Sequence, residues 1–412
     1  MAYDLINEVV TTKKTTQDNR SDSTSPTLQF VNELHVADEV RAFVDTVSPD
    51  HPALIVQQSK VDDAYDLLTG ALSPAVCFYA VKANPAPAVL RTLAAKGSCF
   101  DVASRGEIDL CLSLGITADR LSYGAPVKRP SSIAYAHEMG ITLFTSDCEA
   151  DIRALATNAP GARIMIRIAV ESVGAEWPLS RKFGCPTERA VMLAQLAKEL
   201  GLTPVGISFH VGSQQTNLDA WDKAFARARA LFDDAAASGI HFTLLNLGGG
   251  MPAHSSSLAP NIAAYGQGVM ARLSAHFPDR MPNLMFEPGR AMVAEAGVIA
   301  ATVILVAEAE DREGDHRWVY LDIGRYSGLA ETLEESIRYP MIVDGRDGDL
   351  QPSVMAGPSC DSTDTLYEKT PYPLPADIQA GDRVWILAAG AYTASYSSVN
   401  FNGYEPLETF VI

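Results

Sequence analysis

The sequence contains no apolar run that approaches the roughly 18 consecutive residues needed to cross a lipid bilayer. Residues 1–27 are polar and lack the apolar core of a signal peptide. Basic residues are scarce, because 32 Lys and Arg face 50 Asp and Glu, which gives a net charge of −18 at pH 7. Nucleic acids are bound by clustered Lys and Arg, so this balance argues against them. We therefore predict a cytoplasmic protein without a membrane or nucleic-acid partner.

The cysteines also lack the patterns that mark a metal or disulfide site. No two of the six form a Cys-x-x-Cys pair, which excludes a zinc site of the usual spacing and provides no disulfide framework. This usage is typical of a reducing cytosol, and we predict no metal site. The six residues are Cys77, Cys99, Cys111, Cys148, Cys185 and Cys360.

The length of 412 residues indicates two domains, one of which has room for a barrel of roughly 250 residues. Residues 1–27 are typical of a flexible tail. From about residue 72 to residue 290, eight β-rich runs alternate with helix-like stretches, which predicts a (β/α)8 TIM barrel within 58–296. The runs in 297–412 predict a β-sheet or β-barrel domain, which residues 28–57 join because chain termini often meet. The eight predicted barrel strands are Val76–Val81, Cys99–Val102, Arg120–Tyr123, Thr142–Thr145, Ile164–Ile168, Gly206–Phe209, Thr243–Leu247 and Leu284–Phe286.

In a TIM barrel, functional groups stand just after the C-terminal ends of the strands. Lys82 follows the first predicted strand, where desolvation would lower its pKa and suit a Schiff-base nucleophile; a surface lysine is the alternative. Asp101 ends the second strand. Asp101 and Glu107 could be site carboxylates, but Ser104 and Glu107 also have the spacing of a helix capping box, which is the better interpretation of that pair. Arg167 lies near the end of the fifth strand, where a lone arginine is usually structural, for example as part of an ion pair.

The last three strands end in further polar or flexible residues. His210 follows the sixth strand, where a histidine can stack on an aromatic ring or transfer protons. The alternative is a buried histidine that makes its hydrogen bonds within the core and has no functional role. Three glycines, Gly248, Gly249 and Gly250, follow the seventh strand. They suit an anion-binding turn, although a tight turn also needs glycine and the Gly-x-Gly-x-x-Gly spacing of a Rossmann fold is absent. Glu287 follows the eighth strand, and a buried carboxylate there needs a cation such as a pyridinium nitrogen. Arg290 lies after strands seven and eight, where TIM barrels often bind phosphate.

These residues lie in motifs whose order and spacing resemble those of the fold-type III pyridoxal-phosphate decarboxylases. That family includes the ornithine, diaminopimelate and arginine decarboxylases, and the chain is most similar to the bacterial ornithine or lysine/ornithine enzymes. The resemblance implies an alanine racemase-like barrel with a C-terminal β-domain. The motifs are YAVKAN (79–84), FDVAS (100–104), SRKFG (180–184), HVGSQ (210–214), LGGGMP (247–252), EPGR (287–290), GPSCDSTD (357–364), GAYTASY (390–396) and FNGY (401–404).

The resemblance implies roles for the barrel residues around the cofactor pyridoxal 5′-phosphate. Lys82 would form the Schiff base, and His210 would stack on the pyridine ring. Glu287 would keep the pyridine nitrogen protonated, so that the ring accepts the electrons left by CO₂. Asp101 and Arg167 would orient the lysine and the cofactor. The phosphate would be held by Ser213, Gly248, Gly249, Gly250, Gly289, Arg290 and Tyr392.

The resemblance also implies roles for residues of the second half. Cys360 would return a proton to the substrate Cα from the other subunit of a homodimer, and Asp361 would contact the distal ammonium of the substrate. A buried cysteine is the alternative for Cys360. Asp322, Tyr326 and Tyr392 complete the predicted substrate site, although the Asp-Ile-Gly here is offset by one place from the Asn-Asp-Gly of the eukaryotic ornithine enzymes.

The predicted activity is decarboxylation of ornithine or lysine to putrescine or cadaverine, in polyamine biosynthesis. Another substrate of the same family, with diaminopimelate first and then arginine or a carboxylated polyamine, is the alternative. A catalytically inactive regulator of polyamine enzymes is a third reading, and it predicts the loss of Lys82 or Cys360. An alanine-racemase-like enzyme would share the barrel and the lysine but not the HVGSQ and GPSCDSTD motifs.

Overall fold

A computed structural model describes residues 35–171, 174–177, 182–253, 260–312 and 314–412. The predicted tail, residues 28–34 and the first two residues of SRKFG lie outside this description. The described chain divides into two compact units. The barrel unit comprises 59–252 and 260–292, and the β unit comprises 35–58, residue 253 and 293–412. The sequence-based domain limits at 28–57, 58–296 and 297–412 stay a prediction.

The helices and strands are numbered here in chain order. The helices are α1 Asp38–Val47, α2 Gln58–Ala71, α3 Pro87–Ala95, α4 Arg105–Ser113, α5 Pro130–Glu138, α6 Glu149–Asn158, α7 Thr187–Glu199, α8 Leu218–Ala237, α9 Ile262–His276 and the short α10 Arg290–Val293. The strands are β1 Ala53–Val56, β2 Val76–Ala80, β3 Cys99–Val102, β4 Leu121–Tyr123, β5 Leu143–Ser146, β6 Arg163–Arg167, β7 Ala175–Trp177, β8 Thr203–Ser208, β9 Ser213–Gln215, β10 Leu244–Asn246, β11 Asn283–Phe286, β12 Gly297–Ala307, β13 Arg317–Leu321, β14 Met341–Val343, β15 Leu350–Ala356, β16 Thr365–Leu366, β17 Tyr372–Pro375, β18 Arg383–Ile386 and β19 Glu408–Val411.

Eight parallel strands close into a barrel in the order β2, β3, β4, β5, β6, β8, β10 and β11. A helix follows each strand as far as β10, which confirms the predicted (β/α)8 fold. One cluster of the barrel core, with Phe78 packed against it, is formed by Leu143, Met165, Val205, Leu244 and Met285. The strands are apolar on this inner face, so hydrophobic burial drives their closure. Functional groups are therefore expected after the carboxyl ends of the strands.

Local sequence signals begin and connect the barrel helices. Asn217 caps α8 by accepting the N–H of Asp219, and Asn261 caps α9 by accepting the N–H of Ala264. The buried Trp221 of α8 donates its indole N–H to the hydroxyl of Tyr265 of α9 at 2.7 Å. That hydroxyl in turn donates to the carbonyl of Gln215 in β9. The packing of two helices thus fixes a strand that lies beside the predicted phosphate corner.

The β unit contains a sheet of nine strands among the described residues. Its main path runs β14-β18-β12-β13-β15-β16, and β1 pairs with both β12 and the C-terminal β19. Val40 and Val44 of α1 pack with Ile55 and Trp385 in a buried apolar cluster. The predicted β-sheet architecture of this half is confirmed. Within the described part of the chain, no helix combines the length and apolarity needed to cross a membrane.

Candidate active site

Lys82 lies on a short helical turn, Val81–Ala83, directly after β2. Its Nζ atom is 3.1 Å from Oδ2 of Asp101 in β3. The Asp101 side chain is 3% exposed, whereas the Lys82 side chain is 49% exposed. A buried carboxylate is costly without a cation, so this pairing stabilises Asp101 and holds the lysine amine at the barrel mouth.

Gly124, immediately after β4, provides a second donor for Asp101. Its N–H donates to Asp101 Oδ1 at 3.0 Å. A Cβ atom at residue 124 would lie 2.1 Å from the same oxygen, so glycine is required for this close approach. The two carboxylate oxygens of Asp101 therefore have separate donors, one from Gly124 and one from Lys82.

A buried ion pair anchors the loop that carries Gly124. Lys128 Nζ is 2.8 Å from Asp151 Oδ2, and the two side chains are 0% and 8% exposed. The same Nζ donates to the carbonyl oxygens of Ala125 and Thr145 at 2.9 and 2.8 Å. Burial lowers the pKa of Lys128 and raises the pKa of Asp151. Since loss of either partner would leave a buried charge, the pair ties this loop to β5 and α6.

Ser104 and Glu107 form an N-terminal cap of α4 that differs in one bond from the predicted capping box. Ser104 Oγ accepts the N–H of Glu107 at 3.3 Å. The Glu107 carboxylate, however, accepts the N–H of Ala103 at 2.6 Å, one residue before the expected donor. Burial raises the pKa of Glu107, and the charge of Asp101 adds to the effect. Glu107 thus caps the helix while it lies within the electrostatic field of Asp101.

His210 follows β8 and has a defined hydrogen bond on one ring nitrogen. Its Nδ1 atom accepts the N–H of Gly212 at 2.9 Å, so the neutral imidazole carries its proton on Nε2. Burial, followed by the positive charges of Arg167 and Lys82, lowers the pKa of His210 to about 3. The ring is therefore neutral at ordinary pH, which suits contact with a flat aromatic group.

The three glycines after β10 form a turn without room for side chains. Gly248 and Gly250 have φ values of +66° and +106°, in the region that favours glycine. A Cβ atom at Gly249 would lie 2.7 Å from the carbonyl oxygen of Glu287. The turn is held on both sides, because Glu287 N–H donates to Gly248 O at 2.8 Å and Gln215 N–H donates to Gly250 O at 2.9 Å.

Glu287 follows β11 and is linked to the glycine turn through Asn246. The Asn246 amide donates from Nδ2 to Glu287 Oε1 at 2.6 Å, and its Oδ1 accepts the N–H of Gly248 at 2.8 Å. Burial and the negative charge of Asp101 raise the pKa of Glu287, against the effect of Lys82. A carboxylate in this environment is stabilised by a cationic N–H partner.

Strand β9 connects Arg290 to the glycine turn by hydrogen bonds at its two ends. Arg290 is 7% exposed, and its Nε atom donates to Ser213 Oγ at 3.3 Å. Ser213 begins the strand whose last residue, Gln215, bonds Gly250. Gly289 precedes Arg290 in a segment joined to β2, since the N–H of Ala80 donates to the carbonyl of Pro288 at 2.9 Å.

Arg167, the last residue of β6, belongs to the same electrostatic group. Its guanidinium carbon lies 5.1 Å from the centre of the Phe183 ring. Burial lowers the pKa of Arg167, and the negative charges of Glu287, Asp147 and Asp101 oppose that shift. The structure therefore brings the predicted barrel residues into one connected group of charges and hydrogen bonds.

The barrel residues fit pyridoxal 5′-phosphate on their own chemistry. The glycine turn and Arg290 offer backbone N–H groups and a buried cation, as a phosphate requires. The primary amine of Lys82 is the nucleophile that an aldehyde requires. Glu287 and His210 supply a carboxylate for a ring nitrogen and a neutral surface for a ring face.

Cys360 and Asp361 lie in the β unit, after β15. Asp361 Oδ1 accepts the N–H and the hydroxyl of Thr363, both at 2.8 Å. These donors, together with Tyr326, hold the pKa of Asp361 below its usual range. The exposed Cys360 donates from its N–H and its thiol to Asn402 Oδ1, at 3.1 and 3.3 Å.

The remaining predicted substrate residues also lie in the β unit. Tyr326 and Thr363 share a hydrogen bond of 2.7 Å between their hydroxyl groups. Asp322 has a defined partner, because its Oδ1 accepts the N–H of Thr302 at 2.8 Å, and burial raises the pKa of its carboxyl. The Tyr392 ring packs against Tyr396 with their centres 5.6 Å apart.

Three supporting residues were absent from the sequence prediction. Asn246 could have been predicted from the sequence, because a buried amide at the end of an apolar strand needs hydrogen-bond partners. Gly124 had only its place after a strand. Asn402 was part of the FNGY motif but had no assigned role, and its bond to Cys360 spans 42 residues of sequence.

Comparisons with known proteins identify the family of this chain. Residues 58–294 match the family described as pyridoxal-dependent decarboxylase, pyridoxal binding domain. Lysine/ornithine decarboxylase of Selenomonas ruminantium is 36% identical over 361 residues, which cover 87% of this chain and 89% of the relative. Antizyme inhibitor 2 of Xenopus laevis is 33% identical over 340 residues, or 80% of this chain and 74% of the relative.

The solved structures include a close structural match. The lysine/ornithine decarboxylase of Vibrio vulnificus complexed with cadaverine has a TM-score of 0.81 and 30% identity, and the match covers 92% of this chain and 100% of that one. The family match spans more than half of the chain, and the residues at the barrel mouth fit the family's cofactor. The chain therefore belongs to the pyridoxal-dependent decarboxylases of fold type III, enzymes that use pyridoxal 5′-phosphate.

Proposed function

We propose that this enzyme removes the α-carboxyl group of lysine or ornithine and releases cadaverine or putrescine, as a step in polyamine formation. The proposal is supported by the similarity to the Selenomonas and Vibrio lysine/ornithine decarboxylases. Diaminopimelate, arginine and a carboxylated polyamine are the competing substrates within the family.

The observation that carries the choice of substrate class is the state of Asp361. Its carboxylate is exposed and ionised at neutral pH, and the two hydrogen bonds from Thr363 orient it and hold its pKa below the usual range. A fixed anion attracts the distal ammonium of lysine or ornithine and repels a distal carboxylate. Diaminopimelate carries such a carboxylate, so Asp361 favours the simple diamino acids.

The barrel residues have separate tasks in the proposed reaction. Bound pyridoxal 5′-phosphate supplies a protonated ring that delocalises the electron pair left at Cα when CO₂ departs. Glu287, held by Asn246, keeps a proton on the ring nitrogen. Arg290 and the turn at Gly248–Gly250 bind the phosphate, so that the ring is fixed during the reaction.

Lys82 and its neighbours control the covalent attachment. The amine of Lys82 would hold the cofactor through its aldehyde carbon, the same carbon that a substrate amine would engage. Asp101 would hold the Lys82 ammonium in place when it is not bonded to the cofactor, at the 3.1 Å separation seen in the structure. His210 would offer one face of the ring a neutral surface, because burial lowers its pKa to about 3.

We further propose that the enzyme is a homodimer with shared sites. Cys360 and Asp361 belong to the β unit, whereas Lys82 belongs to the barrel unit, and the family resemblance supports their donation to the partner's barrel. A two-fold axis repeats such an exchange, so each dimer would contain two complete sites. In this arrangement Cys360 returns the proton to Cα.

An inactive regulatory role has some support from the similarity to antizyme inhibitor 2. That hypothesis predicts the loss of Lys82 or Cys360. Both residues are present. The catalytic proposal therefore has the stronger support.

The proposed substrate is tested by CO₂ release from lysine, ornithine, arginine and meso-diaminopimelate. We expect kcat/KM to be highest for lysine or ornithine. Asp361→Asn should lower kcat/KM for that substrate by about tenfold to a hundredfold, because a charge-assisted hydrogen bond is lost. Asp347→Asn, at an exposed turn of the same unit, is the matched control and should be neutral. Preference for diaminopimelate would contradict the proposal.

Glu287→Gln tests the role of the carboxylate at the ring nitrogen. The amide retains the size of the side chain but no longer stabilises the protonated ring, an interaction that matters most as carbanion charge develops. We expect kcat to fall by about a hundredfold or more, while cofactor retention changes only a few-fold. Retention is measured by dialysis and absorbance. Near-normal kcat with full occupancy would show that Glu287 lacks this role.

Mixing two variants that are each inactive in diamine formation tests whether sites are shared. Lys82→Ala and Cys360→Ala subunits, after random exchange, form mixed dimers in about half of the molecules. One site of each mixed dimer would carry both changes and the other neither. Activity should therefore return to roughly a quarter of wild type. If exchange is verified by mass spectrometry and no activity returns, the shared-site proposal is wrong.

A further inference from the structure

The side chain of Asn402 makes two hydrogen bonds to a single residue, Cys360. Its Oδ1 atom accepts the Cys360 N–H at 3.1 Å and the Cys360 thiol at 3.3 Å. One amide oxygen therefore fixes both the backbone and the sulfur of the cysteine. We call residues 357–364 the thiol loop and residues 400–404 the amide loop.

The amide loop has an unusual backbone at the position that makes these bonds. Asn400 and Asn402 have φ values of +60° and +53°, and Gly403 has +81°. Asparagine tolerates this left-handed region better than most residues other than glycine. Glycine would satisfy the backbone at 402 equally well but has no amide. The residue found at 402 combines conformational tolerance with a hydrogen-bond acceptor.

Other contacts join the two loops firmly. The Tyr404 hydroxyl donates to the carbonyl of Pro358 at 3.1 Å. The rings of Tyr326 and Phe401 pack with centres 4.5 Å apart, and the Tyr326 hydroxyl bonds Thr363 in the thiol loop. Removal of the Asn402 side chain would therefore free the cysteine while the loops remain joined.

We infer that Asn402 is a positioning residue for the proton donor Cys360. This inference rests on the proposed role of Cys360. The bond from the thiol to Asn402 Oδ1 holds the sulfur in one place between turnovers. Rotation about the Cβ–Sγ bond then redirects the S–H bond without moving the sulfur.

The proton transfer balances as follows. After CO₂ leaves, the electron pair at Cα forms a C–H bond with the Cys360 proton, and the S–H bond breaks to give a thiolate. Water then reprotonates the thiolate. If the cysteine is misplaced, the proton enters instead at the cofactor carbon that was the aldehyde. Hydrolysis then releases an aminoaldehyde and the amine form of the cofactor, so the substrate carbon is oxidised and the cofactor is reduced.

Asn402→Gly removes the amide without straining the left-handed backbone. We expect the holoenzyme of this variant to form about fivefold to tenfold more aldehyde per turnover than wild type, the change that loss of one hydrogen bond produces in competing barriers. Asn402→Asp retains an acceptor oxygen and should keep the aldehyde fraction closer to wild type. Asn400→Gly, a neighbouring left-handed position, is the matched control and should behave as wild type.

A second readout does not depend on turnover. The bonds to Asn402 restrain the Cys360 sulfur, so their loss makes the thiol more accessible to iodoacetamide. Peptide mass spectrometry should find Cys360 alkylated several-fold faster in Asn402→Gly and no faster in Asn402→Asp. Cys148, the other exposed cysteine among the described residues, serves as the internal reference and should react at a constant rate.

Cys360→Ala separates failure of the inference from failure of the proposed function. If Cys360→Ala makes aldehyde but Asn402→Gly matches wild type in both product ratio and alkylation, the inference about Asn402 is overturned. If Cys360→Ala releases only the amine at the wild-type rate, the proposed role of Cys360 is itself wrong. The inference is supported if Asn402→Gly forms more aldehyde and is alkylated faster, while Asn402→Asp and Asn400→Gly do neither.

Discussion

The ion pair between Lys82 and Asp101 is the interaction on which the rest of the site depends. Asp101 is almost fully buried, and its two oxygens receive one donor from Lys82 and one from Gly124. A buried carboxylate with only one of these donors would be strongly destabilised. The lysine must therefore occupy this corner of the barrel mouth, and its amine is presented where a cofactor aldehyde can react.

Contacts outside the site hold the groups around this pair in place. Gly124 can approach Asp101 because it has no side chain, and the loop that follows it is tied down by the buried pair of Lys128 and Asp151. On the other side of the barrel, Asn246 joins the glycine turn to Glu287. Preorganisation of this kind lets the reacting groups act without rearrangement at each turnover.

The sequence predicted the fold class and most of the barrel elements because their signals are local. Apolar runs bounded by turn residues marked all eight barrel strands. Boundaries were less accurate where a strand begins with polar or proline residues, as β8 does at Thr203 rather than Gly206. The strand ends then indicated Lys82 and Glu287 as site residues.

What the sequence did not predict depends on contacts between distant segments. The bond from Asn402 to Cys360, the donation from Gly124 to Asp101 and the partner of Asp322 all join residues that no local pattern relates. The Glu107 carboxylate likewise accepts a different N–H from the one that the capping box implies. Such details follow from tertiary packing rather than from propensity.

The central claim is that Lys82, held by Asp101, carries the cofactor. Borohydride reduction of the enzyme as isolated, followed by peptide mass spectrometry, tests it most directly. We predict that the visible absorption of the bound cofactor disappears and that the pyridoxyl label lies on Lys82. A label on another lysine, or an undiminished label in Lys82→Ala, would contradict the account.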